Sequence, residues 1–130
     1  MSTEISVPIS AGELVDKITI LEVKSTQIRD SEKLKNIETE LGLLRAVANA
    51  QLSASESLEQ WTSKLREVNQ ALWRIEDEIR ECEGAKDFGP KFIELARSVY
   101  KQNDRRAALK KEINLALNSK LIEEKSYENY

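Results

Sequence analysis

Three polar residues stand where the last apolar stripe of this chain should continue. Steps of three and four from Phe92 give Ala96, Val99, Asn103, Arg106, Lys110, Ile113 and Leu117. The face is apolar at both ends and polar in the middle, with Asp104 and Arg105 beside the break. A guanidinium and an ammonium one turn apart can hold a carboxylate or a phosphate. The planar fork of arginine matches either oxyanion, lysine adds a point charge, and an asparagine amide can orient the group. Near the start of the chain, Asp16 and Lys17 are complements that a neighbouring helix can supply. Helical spacing pairs Asp16 with Thr19, and Lys17 with Glu13 and Lys24. Asn103, Arg106, Lys110, Asp16 and Lys17 therefore form the candidate ligand-binding set, and a small anion or an anionic group of a partner is its candidate ligand. Two plainer readings compete. Buried polar layers set the register between packed helices at a cost in stability, and long basic side chains can snorkel at the edge of a seam. For Asp16 and Lys17 the plainer reading is a row of solvated ion pairs.

Other chemistry is sparse. The chain has no histidine, which removes the commonest near-neutral acid–base group and zinc ligand. Its single cysteine, Cys82, lies on an apolar stripe and reads as a small core residue; no intrachain disulfide can form. The run Glu76, Asp77, Glu78, Glu81 and Glu83 reads as a solvated face, because an all-carboxylate metal site on helices needs ligands from a second helix. No catalytic constellation, metal or cofactor follows from these residues.

The elements that position these groups are helical. Only four glycines and two prolines punctuate 130 residues, too few for the turns of an all-β fold. Ile5, Val7 and Ile9 alternate with polar residues in an extended arm over 1–10, and Pro8 makes a central strand improbable there. Ser10 and Glu13 have capping-box spacing and open a helix over about 11–29. Leu14, Ile18, Leu21 and Ile28 line one face of it, while Val15, Ile20 and Val23 widen that face, so more than one side should be buried. Asp30 or Ser31 caps a second helix over 32–51, with Leu34, Ile37, Leu41, Leu44 and Ala48 in step. Gly42 inside it costs about 1 kcal/mol against alanine and can mark a close approach of two backbones. Ser53 and Glu56 repeat the capping-box spacing before a third helix over 55–83. Its stripe is unbroken from Leu58 through Trp61, Leu65, Val68, Leu72, Ile75 and Ile79 to Cys82, and a helix of that length spans roughly 40 Å. Trp73 sits one position off the stripe and should meet a second neighbour or an oligomer interface. Gly84 suits a C-terminal cap, and Asp87 with Pro90 opens a fourth helix over 88–118. A hairpin turn near residue 86 or 87 sets Arg106 level with Glu67, and Asn103 near Asn69 and Gln70. The tail, 119–130, is expected to return against the arm. The fold class is all-α: a four-helix bundle of two antiparallel hairpins in a single domain.

The net charge of −3 and the scattered basic residues carry no nucleic-acid footprint. No apolar run approaches the roughly 20 residues that cross a bilayer, so no membrane segment is expected. The start, Met1-Ser2-Thr3-Glu4, has no signal-peptide pattern. A soluble cytoplasmic protein is the expectation.

From Ile5-Ser6-Val7-Pro8-Ile9 through Glu13-Leu14-Val15-Asp16-Lys17 to Lys24 the chain resembles a family of short proteins of unknown function from bacteria and some bacterial viruses. The resemblance continues through Asn69 to Glu83. It is strongest over Asp87-Phe88-Gly89-Pro90, Phe92 to Arg97, and Asn103-Asp104-Arg105-Arg106-Ala107, and it includes Glu123-Glu124-Lys125-Ser126-Tyr127. It implies that arm, polar break and tail belong to one unit, and it assigns no activity. Two functions remain. One is a binding or interaction module whose partner is a second copy, another protein or a small anion. The other is a small helical enzyme. Arginines and a lysine projecting into a bundle stabilise a dianionic transition state in all-helical chorismate mutases, and Arg106, Lys110, Lys17 and Arg105 could act in that way. A magnesium-dependent nucleotide pyrophosphohydrolase would instead need the pairs Glu13 with Asp16 and Glu78 with Glu81, which stand in the wrong chain order for it.

Overall fold

Ser10 opens the first helix. In the computed structural model, which describes residues 3–130, its hydroxyl accepts a hydrogen bond from the Glu13 N–H at 3.1 Å, and α1 runs Ala11–Gln27. Asp30 caps α2, Ser31–Gln51, by accepting from the Lys33 N–H at 3.0 Å. The third helix, α3, runs Glu56–Gly84. Its cap is Ser55 and not Ser53: the Ser55 hydroxyl accepts from the Leu58 N–H at 3.0 Å, leaving Ser53 in the extended connection. The fourth, α4, runs Pro90–Ala116 with the proline in its first turn, where no N–H is needed. Asp87 does not cap it; the Asp87 carboxylate accepts from the Gly89 N–H at 3.1 Å and so shapes the preceding turn.

Both long helices end in the same way. Lys86 and Asn118 take left-handed backbone angles, with φ of 56° and 53°. The Asp87 N–H reaches the Cys82 carbonyl at 2.9 Å, and the Ser119 N–H reaches the Asn114 carbonyl at 2.8 Å. These are the 6→1 bonds of a Schellman ending. Gly84, the expected cap, is the last helical residue of α3, and the left-handed position falls two residues later on a lysine.

The four helices form two antiparallel hairpins, α1–α2 and α3–α4. Their packing is uneven. α1 lies against both α3 and α4, whereas α2 rests on α1 and, among the described residues, meets neither helix of the other hairpin. The two faces of α1 read from the sequence divide between these neighbours. Val15 joins Leu65, Val68, Leu109 and Ile113 in one core. Leu21 joins Ile37 and Leu41 in a smaller one against α2. Gly42 marks no close approach, because a Cβ added there would meet nothing within 4 Å. That role belongs to Gly12, where a Cβ would run into the Lys110 backbone carbonyl. α1 and α4 therefore touch backbone to backbone beside the polar break.

The arm is extended over residues 3–10 and forms no strand, and Ile5 and Val7 stay exposed; residues 1 and 2 of the arm lie outside the described residues. Among the described residues, the tail's hydrogen bonds and ion pairs to the rest of the chain go to α1 and α4. Ser119 accepts a hydrogen bond from the first N–H of α1 at 3.1 Å. Beyond it the chain doubles back along α4, with Glu123 by Lys110, Glu124 by Lys111 and Tyr130 by Asp104. None of the helices is long and apolar enough to cross a membrane.

Candidate functional site

Asp16 lies at the centre of the polar break. Its side chain is 0% exposed. Placing an ionised carboxylate in such a position costs several kcal/mol unless opposite charge and hydrogen bonds compensate. Here they come from α3 and α4. Arg106 of α4 grips the carboxylate with a fork: Nε lies 3.0 Å from both oxygens, and Nη2 lies 2.5 Å from Oδ2. Asn69 of α3 donates to Oδ1 at 3.0 Å and to the Thr19 hydroxyl at 2.9 Å. Thr19 in turn donates to the Asp16 carbonyl at 2.8 Å. Lys110 approaches Oδ2 at 3.8 Å, but it is held more closely by Glu13, at 2.7 Å, and also meets Glu123 of the tail at 3.5 Å.

The same corner satisfies the start of α1. Helix N-termini leave N–H groups without intrahelical partners. The Ala11, Gly12 and Glu13 N–H groups donate to Ser119, Asn114 and Ser10 respectively, with the buried Gly12–Asn114 bond at 2.6 Å. The end of α4 thus caps the beginning of α1, and the missing side chain of Gly12 leaves room for the Lys110 carbonyl and the Asn114 side chain.

The charges nearly balance. Arg106 and Lys110 face Asp16, Glu13 and Glu123. The hydrogen bonds that Arg106 donates to Asp16 raise the guanidinium above its ordinary range; burial opposes the shift, and the charges of Asp16, Glu13 and Glu123 add to it. Arg106 is therefore a fixed cation at any pH the protein meets.

Of the five candidate residues, the fold brings Asp16, Arg106 and Lys110 into one network. Asn103 stands on its rim, one turn before Arg106. Lys17 is exposed on the outer side of α1 and forms no ion pair among the described residues. Glu67, expected level with Arg106, is exposed, and Asn69 takes the place beside it. Asn69, expected near Asn103, lines the same groove as that residue. Thr19 stands beside Asp16 as helical spacing pairs them, whereas Asn114 and the capping role of Ser119 are partners that the spacing does not show. One signal for this corner was available: Gly12, Asp16 and Thr19 follow a helical four-three spacing that places all three on one face.

Arg106 and Lys110 both reach Asp16 but line different cavities. Arg106, with 28% of its side chain exposed, forms one end of a groove of about 480 Å³ between α1, α3 and α4. Ile20, Val23, Leu72, Trp73 and Val99 make its apolar walls, and Asn69 and Asn103 join Arg106 at the polar end. Glu76, Asp77 and Arg80 stand at the other end, where Arg80 and Glu76 pair at 3.3 Å. Among the described residues, none from α2 lines it. Lys110 instead faces the tail and has only 7% of its side chain exposed. Among the described residues, no three carboxylate or thiol side chains gather where they could hold a metal ion.

No curated protein and no solved structure matches this chain. A family does: residues 5–130, a span that takes in the arm, the polar break and the tail, match a family of unknown function, DUF6165, and the chain belongs to it.

Proposed function

We propose that this protein is a binding module whose site is the groove between α1, α3 and α4, and that it takes an amphipathic ligand or partner side chain with a hydrogen-bond-accepting head, a carboxylate above all. One observation carries the reading. Asp16 holds the Nε–Nη2 edge of Arg106, so the guanidinium plane is fixed; among the described residues no hydrogen bond engages Nη1, and Arg106 lines the groove together with Asn103. A cation oriented by a buried carboxylate is prepared for a second planar acceptor. The Asp16–Arg106 pair is close to neutral, so hydrogen bonds at the head and apolar contact along Trp73, Leu72 and Val99 supply the binding, more than net charge does. Lys110 takes no part on this side, because Glu13 and Glu123 already engage it. The enzymatic alternative loses support for the same reason: the cations it needs are paired, and Lys17 lies outside the groove. A buried lone thiol, Cys82, suits a reducing compartment, and we propose a cytoplasmic setting.

Trp73 reports on the groove directly. With Trp61→Phe as background, its emission should change saturably on titration with aryl- and alkyl-carboxylates such as phenylpropionate and octanoate. The matching primary amides should bind more weakly. Asn103→Leu, which leaves the buried network intact, should weaken the carboxylates about tenfold, equivalent to about 1.4 kcal/mol. A Trp73 signal that stays flat for every compound, or equal affinity with and without Asn103, would sink the proposal.

A further inference from the structure

We infer that the face of α4 around Lys110 and Lys111 is a docking site for an acidic, extended peptide segment of a partner protein, and that the chain's own tail occupies it as a stand-in. The occupant's chemistry is visible. Residues 120–130 form neither helix nor strand, and two consecutive carboxylates meet two consecutive ammonium groups: Glu123 lies 3.5 Å from Lys110 and Glu124 lies 3.4 Å from Lys111. Small residues, Ala107 and Ala108, make the floor between them, and about 150 Å³ remains unfilled under the tail. The tail follows the seat without filling it.

Its hold is also weak in kind. Beyond Ser119, no backbone hydrogen bond ties the tail to α4 among the described residues. What fastens it includes the exposed Lys111–Glu124 pair, which is feeble and screened by salt, the pair of Glu123 with the nearly buried Lys110, and Tyr130 at its end. The Tyr130 hydroxyl donates to Asp104 at 2.6 Å, and its ring packs edge-on to Tyr100 with centroids 5.1 Å apart. When the tail lifts, Lys110 keeps Glu13 and Asp16, whereas Lys111 loses the carboxylate partner it has among the described residues. Lys111, beside Lys110 and an alanine floor, then awaits an acceptor of the kind just removed. A tethered tail competes at an effective concentration on the order of millimolar, so a free acidic segment binds well only when the tail's carboxylates are neutralised or outnumbered. This site is separate from the groove and does not depend on it.

The test uses the full chain and a fluorescein-labelled peptide of residues 120–130, read by anisotropy at low salt. Its control is the same peptide with Glu123 and Glu124 replaced by glutamine and Glu128 kept. The native protein should bind the acidic peptide weakly, and the Glu123→Gln/Glu124→Gln variant should bind it at least about fivefold more tightly. Adding Lys111→Gln should remove that gain, as should raising the salt several-fold. A gain below fivefold overturns the inference, as does an equal gain for the glutamine peptide or a gain that survives Lys111→Gln. Tighter binding of a single-stranded oligonucleotide of matched charge than of the peptide also overturns it.

Discussion

Replacing Arg106 with methionine should be among the most damaging single changes this fold can suffer, and the reason is Asp16. The substitution keeps a long unbranched side chain in place but removes both nitrogens that bond the carboxylate. Asp16 would retain Asn69 at 3.0 Å and Lys110 at 3.8 Å. Neither replaces the fork, because Asn69 is neutral and Lys110 is committed to Glu13. With its side chain fully enclosed, Asp16 cannot turn to water. Breaking a buried pair from one side costs roughly 3–5 kcal/mol, against a total stability of about 5–15 kcal/mol for a domain. In urea, with a slope of about 1–3 kcal/mol per molar, the unfolding midpoint should fall by about 2 M. Asp16→Asn is the control. It leaves two cations without that carboxylate, but Arg106 is part exposed and Lys110 keeps Glu13, so the loss should be smaller, about 1–3 kcal/mol. Circular dichroism against urea at pH 7 measures both losses. If Arg106→Met costs under about 1 kcal/mol, or costs less than Asp16→Asn, the account of the break as a network centred on a buried carboxylate is wrong.

Two helical glycines should respond in opposite directions to alanine. At Gly12 the new methyl meets the Lys110 backbone carbonyl and lies 2.9 Å from the Asn114 side-chain oxygen, so Gly12→Ala should destabilise by about 1–3 kcal/mol. At Gly42 it meets open space and should stabilise by up to about 1 kcal/mol through helix propensity; thermal melts of the two variants decide both signs. The tail should also show a pH limit. The hydrogen bond to Asp104 raises the Tyr130 hydroxyl above the ordinary tyrosine value of 10.0, with burial and the Asp104 charge adding to the shift. A group raised in the folded state contributes its full stabilisation below its unfolded pKa and loses it as pH rises through the folded one. The tail contact should therefore hold through neutral and mildly alkaline pH and fail above about pH 10. Difference absorbance of native and Tyr130→Phe protein should assign the last-titrating phenol to Tyr130; if that phenol persists in the variant, the assignment fails.

The helices themselves were plain in the sequence because each carries its own signal. The α3 stripe from Leu58 to Cys82 repeats without error, and its members are buried or half-buried. What tertiary contact decides was not plain. The α2 stripe looks like any core stripe, yet only Ile37 and Leu41 are buried, because no local feature says that a single helix will cover it. Ser53 and Ser55 are both chemically able to cap, and the choice depends on where the connection from Leu52 turns. At the break, residue types pointed to Arg106 and Lys110. Their partner was legible only as one of two adjacent residues, Asp16 and Lys17. Adjacent helical positions diverge by about 100°, so one had to face inward and the other outward. An acidic residue in step with Gly12 and Thr19 could be recognised as the inward one only once α4 was known to approach that close.

A buried polar layer is not by itself a sign of function. Well-packed apolar residues can replace such pairs at no loss of stability, so stability does not explain why α4 carries Arg106 and Lys110 on its seam. Register does not explain it fully either: Asn69, Thr19 and Asn114 already give α1 specific hydrogen-bonding partners on α3 and α4. What the two cations add is their outward sides. Arg106 lines the groove, and Lys110 lies under the tail, where Glu123 meets it. Asp16 holds one cation through its fork, and Glu13 holds the other. The break is thus a rigid anchor for two neighbouring donors on one face of α4, one beside the groove and one beneath the tail, and those two places are where the proposed binding would act.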